Sequence, residues 1–223
     1  MAFGEVGTSL SKIKANSLNL AGTFGFSGTV SGLADETPLV LISTFTSDGS
    51  DSNATFTSSH ITSTYKEFLF VFNNMHPETD GANLTFNASV DNGSNYNVTK
   101  TSATFWSENV ESGDGGQIQY RTGQDLAQST DEQIIMNNLG NGSDESGAGI
   151  MRLYNPSSTT FVKQFVCRHQ YYHFGNVGGT NAGYAIDNYT SGYLNTTSAV
   201  NNIRFKMSSG EIQGGTIDLF GVV

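Results

Sequence analysis

The sequence predicts an all-β fold, an antiparallel two-sheet sandwich of jelly-roll type with an extended N-terminal arm. Short apolar runs with a two-residue period recur along the chain, which is typical of strands. Turns rich in Gly, Asn and Ser separate these runs, and helical periodicity is almost absent. The 223 residues include 15 Phe and 9 Tyr, enough bulky side chains for a packed core.

The composition changes near residue 35, which predicts two parts. Residues 1–35 are rich in Gly and Ser with sparse apolar positions, whereas residues 36–223 carry dense strand patterns. We place the boundary in LADETP, residues 33–38. The first part is predicted to be an extended anchor and the second a jelly-roll-like β-sandwich.

Charge and cysteine content exclude several functional classes. The net charge is −10 and no Lys/Arg cluster is present, so nucleic-acid binding is not expected. The single cysteine, Cys167, rules out an intrachain disulfide and is predicted to be a small buried side chain.

The opening residues lack the apolar run of a signal peptide, and no apolar stretch reaches membrane-spanning length. Several N-x-S/T triplets, such as those at Asn53 and Asn195, are interpreted as compositional accidents.

Three early segments predict strands of different kinds. Residues 38–45 follow a proline and suit an edge strand, and residues 67–72 are apolar on both faces and suit a central strand. Residues 84–90 alternate. The positions predicted to face the core are Leu84, Phe86, Ala88 and Val90, and those predicted to face outward are Thr85, Asn87 and Ser89.

Later segments predict further strands and two hairpins. Asn92-Gly93 is a type I′ hairpin signal, and SSGEIQGG predicts a terminal hairpin with Arg204 and Lys206 turned to solvent. Residues 9–18 and 124–128 are short helix candidates. Strands are predicted at 117–121, 132–138, 149–154, 161–172, 189–194, 202–207 and 215–222.

Candidate metal ligands do not converge. His169 and His173 lie where a predicted strand runs into a loop; in an extended chain they would share one face but lie more than ~12 Å apart along the backbone. Residues 48–53 are predicted to be an Asx-rich turn, because the calcium-loop glycine and distal glutamate are missing. Residues 107–116 gather Glu108, Glu111 and Asp114 in one predicted loop, a solvated connection for which weak calcium binding stays open.

Catalytic patterns are also missing from the sequence. No nucleophile elbow and no phosphate-binding glycine loop occurs. The acids predicted to lie in strands are Glu67, Glu132 and Asp218, and none has the aromatic context of a glycosidase site. We therefore predict a protein that is not an enzyme and needs no cofactor.

One aromatic cluster predicts a binding surface. Tyr171, Tyr172 and His173 end a predicted strand and, together with Trp106, suit stacking on sugar rings or a subunit interface. Alternation, however, places Tyr171 on the same face as Phe165, so part of the cluster has the pattern of core residues.

An apolar, extended segment near the N-terminus predicts contact with another chain. Its apolar positions share the two-residue period, and glycines allow close backbone approach. Such a segment adds to a neighbour's sheet edge or winds with two copies of itself about a threefold axis, unless it is a disordered tail. The positions are Leu18, Leu20, Phe24, Phe26 and Val30.

Three stretches resemble small virion proteins of tailed bacteriophages, particularly marine ones. They are the opening MAFGEVGTSLSKIKANSLNLAG, the central LYNPSSTTFVKQFV, and the ending from residue 192, which contains an S-S-G-x-I-x-x-G-T-I-x-L-F-G pattern. The resemblance implies a non-enzymatic, oligomeric particle component with a β-sandwich, assembled in the host cytoplasm with other virion proteins. Three copies are favoured, as on a fibre axis.

Several functions remain open from the sequence. The first is a tail or fibre appendage that docks through its arm and binds host-surface glycans. The second is a capsid decoration or head-fibre protein. A glycan-degrading depolymerase and a secreted-type lectin are the other two, and the missing export signal disfavours the lectin.

Overall fold

Strands alone form the regular structure of the described chain. The computed structural model describes residues 38–113, 115–175 and 183–223, and these contain no helix. None of the described segments could therefore cross a membrane as a helix. The strands are β1 (Leu39–Thr46), β2 (Ala54–Phe56), β3 (Glu67–Pro77), β4 (Ala82–Ser89), β5 (Lys100–Val110), β6 (Gly116–Tyr120), β7 (Gln133–Leu139), β8 (Gly147–Tyr154), β9 (Lys163–His173), β10 (Tyr184–Leu194), β11 (Asn202–Met207) and β12 (Ile212–Val222).

The twelve strands form one antiparallel sheet. Eight of them, the eight-strand run, pair in the order β1-β12-β3-β8-β9-β10-β5-β6. The other four, the four-strand run, pair in the order β7-β4-β11-β2. Leu139 of β7 pairs with His173 of β9 and joins the two runs. The all-β, antiparallel prediction is confirmed.

Phenylalanine rings from both runs meet in one core. Phe205 of β11 lies edge-on to Phe70 and Phe72 of β3, with ring centroids 5.2 and 5.0 Å apart. Phe86 of β4 meets Phe165 of β9 at 5.0 Å. All five rings are at most 1% exposed. Edge-to-face contacts of this kind add to the burial energy and hold the sheet folded back on itself.

Most of the predicted strands are confirmed. β1 is an edge strand after Pro38, and β3 lies between β12 and β8 as a central strand. The seven later strands, β6 to β12, occur where the sequence predicts them. Neither β2 nor β5 was predicted. The helix candidate at residues 124–128 is wrong, because this segment is irregular, and the candidate at residues 9–18 lies outside the described residues.

Both predicted hairpins are wrong. Asn92 and Gly93 do form a turn with φ of 58° and 84°, but β4 pairs with β7 and β11 instead of with β5. Likewise β11 pairs with β2 and β4, whereas β12 pairs with β1 and β3. The turn around Gly210 (φ 66°) therefore carries the chain from one run to the other. Turn chemistry predicts a reversal without indicating the strand's partner.

The outward face of β4 is also buried. Leu84, Phe86 and Ala88 face the core as predicted, whereas Val90 is 37% exposed beyond the end of the strand. The three polar residues predicted to face solvent are at most 3% exposed, and the amide of Asn87 donates to the Thr130 carbonyl of a distant segment. They are Thr85, Asn87 and Ser89.

Pro38 and Val223, which are far apart in the sequence, meet beside β1. Val223 donates its backbone N–H to the Pro38 carbonyl at 3.1 Å, so both lie beside this edge. Leu39 and Leu41 on β1 are 38% and 56% exposed. The described residues from 38 onward form one compact unit. The predicted anchor, residues 1–35, and its apolar positions lie outside the described residues.

His169 is a neutral core residue rather than a metal ligand. It is fully buried on β9, edge-on to Phe72 at 5.0 Å. Gly149 on the neighbouring strand makes room, since a Cβ there would lie 2.6 Å from His169 Cδ2. Burial lowers the pKa of His169 from 6.5 to about 3, because the apolar surroundings disfavour the charged imidazolium.

This burial predicts acid sensitivity. Below pH 6.5 the unfolded chain protonates His169 while the folded chain does not, until the pH approaches about 3. Stability present above pH 6.5 is therefore lost as the pH falls, by ~1.4 kcal/mol per pH unit from this residue. Urea unfolding at pH ~7 and ~5.5 should show a smaller loss in a His169→Leu variant than in the unaltered chain. Equal losses in both proteins would contradict the assignment.

Candidate functional site

A polar cleft of about 400 Å³ opens where β5, β6, β9 and β10 approach β7. It contains both hydrogen-bonding side chains and aromatic rings, the combination found in many small-molecule sites. The lining residues are Trp106, Glu108, Gln117, Gln119, Arg121, Asn137, Asn138, His173, Phe174, Gly175 and Tyr184.

Strand register places a carboxylate and two amides together. Trp106 and Glu108 alternate onto the inner face of β5, where Gln119 and Gln117 of β6 stand directly opposite them. Both glutamines donate to Glu108 Oε1, Gln117 at 2.6 Å and Gln119 at 3.0 Å. The Glu108 carboxylate is thereby fixed in one orientation, with Oε2 left as a further acceptor.

A cation and three rings form the other side of the cleft. The Arg121 guanidinium carbon lies 3.7 Å from the Trp106 ring centroid, and Arg121 donates to Gln119 Oε1 at 2.9 Å. His173 is edge-on to Trp106 at 5.5 Å and to Tyr184 at 5.4 Å. The rings and the guanidinium therefore support one another in a fixed arrangement.

The cleft retains unused hydrogen-bonding capacity. Trp106 Nε1 and His173 Nδ1 are buried and have no hydrogen-bond partner among the described residues. Burial lowers the pKa of His173, as does nearby Arg121, so its imidazole is neutral at neutral pH. An unpartnered buried polar group costs free energy, which a ligand or water can recover. The arrangement suits a neutral ligand with several hydroxyl groups.

The four predicted binding residues are divided between two hollows. Trp106 and His173 line the cleft, although Trp106 is only 2% exposed beneath Arg121. Tyr171 is 3% exposed in the core, as the alternation with Phe165 suggested. Tyr171 and half-buried Tyr172 line a separate hollow of about 300 Å³.

Sequence reasoning missed most of the polar lining. Gln117, Gln119 and Arg121 alternate onto one face of the strand predicted at 117–121, so the sequence groups these three polar side chains. It does not indicate which strand lies opposite them. Asn137 and Asn138 lie near the end of β7. They line the cleft only because the sheet folds back on itself.

The predicted acidic loop is partly a strand. Glu108 lies in β5 and is held by glutamines, while Asp114 lies outside the described residues. No group of three or more His, Cys, Asp or Glu placed to hold a metal occurs in the described part of the chain. The segment at 48–53 is an Asx turn as predicted, since Asp48 Oδ1 accepts from the backbone and hydroxyl of Ser50.

Other acids and the cysteine have structural surroundings. Glu67 of β3 pairs with Arg152, and Asp218 of β12 accepts from Thr44, so both lie in strands as predicted. Glu132 lies just before β7 instead of within it. Cys167 is 1% exposed, which confirms it as a buried apolar side chain, and burial raises the pKa of its thiol. Glu108 and Asp187 also lie in strands, contrary to the prediction.

Known proteins supply no analogy for this cleft. The chain matches no protein-family model, no curated protein and no solved structure.

Replacing the cation over the indole provides a direct test of the cleft's geometry. Arg121→Ala should lower the unfolding free energy by about 0.5–2 kcal/mol, the usual range for a cation–π contact. Trp106 is the chain's one tryptophan, so its emission reports this site alone. Acrylamide should quench this emission more strongly in the variant, because Arg121 no longer covers the ring.

Arg168→Ala is the matched control. Arg168 lies 5.0 Å from the Tyr189 ring centroid on an exposed surface and should leave Trp106 quenching unchanged. Equal quenching in Arg121→Ala and the unaltered chain would show that Arg121 does not cover Trp106 in solution.

Proposed function

We propose that this chain is a non-enzymatic structural protein of a tailed-bacteriophage particle, and that its β domain binds host-surface glycans in the polar cleft. The cleft carries the glycan part of this proposal. Glu108 is held in place by Gln117 and Gln119 beside Arg121, an arrangement that presents acceptors and donors at fixed positions.

The cleft's chemistry matches that of sugars. Sugar hydroxyls both donate and accept, and carboxylate and amide groups satisfy both roles. Arg121 covers the Trp106 ring, so apolar contact with a sugar's C–H face comes from Tyr184 and from Phe174, which is 37% exposed. The volume of about 400 Å³ suits a short oligosaccharide segment.

The virion part of the proposal is supported by the sequence resemblance and by the positions of the sheet edges. Pro38 immediately precedes β1, which is at one end of the eight-strand run. Residues of β5 and β6, at the opposite end of this run, line the cleft. An arm formed by residues 1–35 precedes β1 in the chain, and we propose that it docks the domain on other virion proteins. We propose a jelly-roll-type sandwich for the domain and three copies in the assembly.

A second candidate, a capsid decoration or head-fibre protein, is favoured by an exposed apolar patch. Ile118, Tyr120 and Phe105 on the outer face of β6 and β5 are 79%, 57% and 46% exposed. Phe105 stacks on Tyr189 at 4.9 Å, which flattens this surface. In this function the patch is the contact between copies of the chain.

Glycan binding is tested through the cleft carboxylate. Titrating purified protein with oligosaccharides from the host envelope should change Trp106 emission. Glu108→Ala should weaken binding at least ~10-fold, since it removes the charged acceptor of hydrogen bonds worth ~1.5–3 kcal/mol each. Glu111→Ala, at a neighbouring acid outside the cleft, is the matched control and should bind normally. Equal affinities for both variants would contradict binding in the cleft.

Location on the particle is tested by gold labelling of intact particles with antibody against residues 36–223. Label confined to the tail or its fibres is expected for an attachment protein. Label spread over the head would instead support decoration, with the patch around Phe105 as an interface. Particles without label would overturn the virion proposal as a whole.

A further inference from the structure

A fully buried lysine contacts an asparagine side chain at the beginning of β5. Lys100 is 0% exposed, and its Nζ donates to Asn87 Oδ1 at 2.8 Å and to the Val98 carbonyl at 2.9 Å. Burial lowers the pKa of Lys100 to about 8, although the carboxylates of Glu132 and Asp131 oppose the shift. A neutral amine, which is the nucleophilic form, is therefore accessible near neutral pH.

The Asn87 amide is held and polarised. Asn87 is 1% exposed in β4, and its Oδ1 also accepts from the Ala88 backbone N–H at 2.9 Å. The Ala88 N–H draws electron density from the amide carbon and stabilises the oxyanion that forms when Lys100 attacks. Asn87 Nδ2 donates to the Thr130 carbonyl at 3.0 Å, which fixes the orientation of the amide.

Strand register places an acid near the same amide. Asn87 pairs in register with Arg204 of β11, and its neighbour Phe86 pairs with Gln133 of β7. Glu132, one residue before Gln133, accepts from Arg204 Nη2 at 2.6 Å, so its side chain reaches the β11 residue that pairs with Asn87, and its charge acts on Lys100. Glu132 Oε2 is buried and has no hydrogen-bond partner among the described residues. It is therefore free to accept a proton.

We propose that Lys100 and Asn87 join in an intramolecular isopeptide bond, with Glu132 transferring the proton. Lys100 Nζ attacks Asn87 Cγ, so a C–N bond forms and the carbonyl becomes a tetrahedral oxyanion. Glu132 takes a proton from Nζ and passes it to Nδ2. The Cγ–Nδ2 bond then breaks, the carbonyl re-forms and one ammonia molecule leaves, with no oxidant or second reactant.

The bond would tie together the two parts of the sheet. Asn87 belongs to the four-strand run and Lys100 to the eight-strand run, and they are 13 residues apart in sequence. A covalent link between them prevents β4 from separating from β5 when the noncovalent core opens. This would suit a protein that must persist outside a cell, but the reaction itself does not depend on the proposed function.

Intact-mass spectrometry of the full chain is the first test. We expect a mass below that of the sequence by one ammonia molecule. Fragmentation after proteolysis should show a branched peptide that joins the segment containing Asn87 to that containing Lys100. Glu132→Gln, which keeps the size of the side chain and an oxygen for Arg204 to donate to, should retain the full mass. Asn87→Asp should still form the bond by losing water instead of ammonia.

Two control variants distinguish formation of the isopeptide bond from other reactions that release ammonia. Asn92-Gly93 and Asn141-Gly142 can lose ammonia as succinimides, a loss that Lys100→Met would leave in place. Lys163→Met removes another fully buried lysine, whose Nζ donates to the Thr196 carbonyl, and should leave the bond intact. A full-mass unaltered chain, or an ammonia loss without the branched peptide, would overturn the proposal.

Discussion

The contact of Phe205 with the two phenylalanines of β3 is the interaction on which the rest of the structure depends. Phe205 comes from the four-strand run, and Phe70 and Phe72 come from the eight-strand run. Few backbone hydrogen bonds join these runs, since their strand pairing is confined to Leu139 and His173. Burial of the phenylalanine rings therefore holds the two runs together, as backbone hydrogen bonds hold neighbouring strands together within each run.

The polar cleft is a consequence of the same folding. The inner face of β5 begins at Lys100, which lies against β4, and continues to Glu108, which faces β6 glutamines in the cleft. Away from the phenylalanines, inward positions need not be apolar, and amides, a carboxylate and Arg121 occupy them. The same strand thus contributes a buried lysine that contacts Asn87 at one end and lines the open polar cleft at the other.

Strand positions were predictable from the sequence, but strand partners were not. Apolar alternation marks most strands, yet β5 has Lys100, Ser102 and Thr104 on its inward side and so gives no apolar signal. A turn such as Asn92-Gly93 reverses the chain whatever strand comes next. Asn87 has the pattern of a solvent-facing residue, and only the path of a distant segment buries it. Long-range pairing also determines which side chains line the cleft.

The exposed leucines of β1 have a consequence for solubility. Leu39 and Leu41 lie on a strand that has β12 on one side and no strand of the described chain on the other. Free edges with apolar side chains promote edge-to-edge aggregation unless charge or a covering segment prevents it. A net charge of −10 keeps copies apart at low salt, and this repulsion is screened as ionic strength rises. Concentrated salt therefore favours self-association through β1.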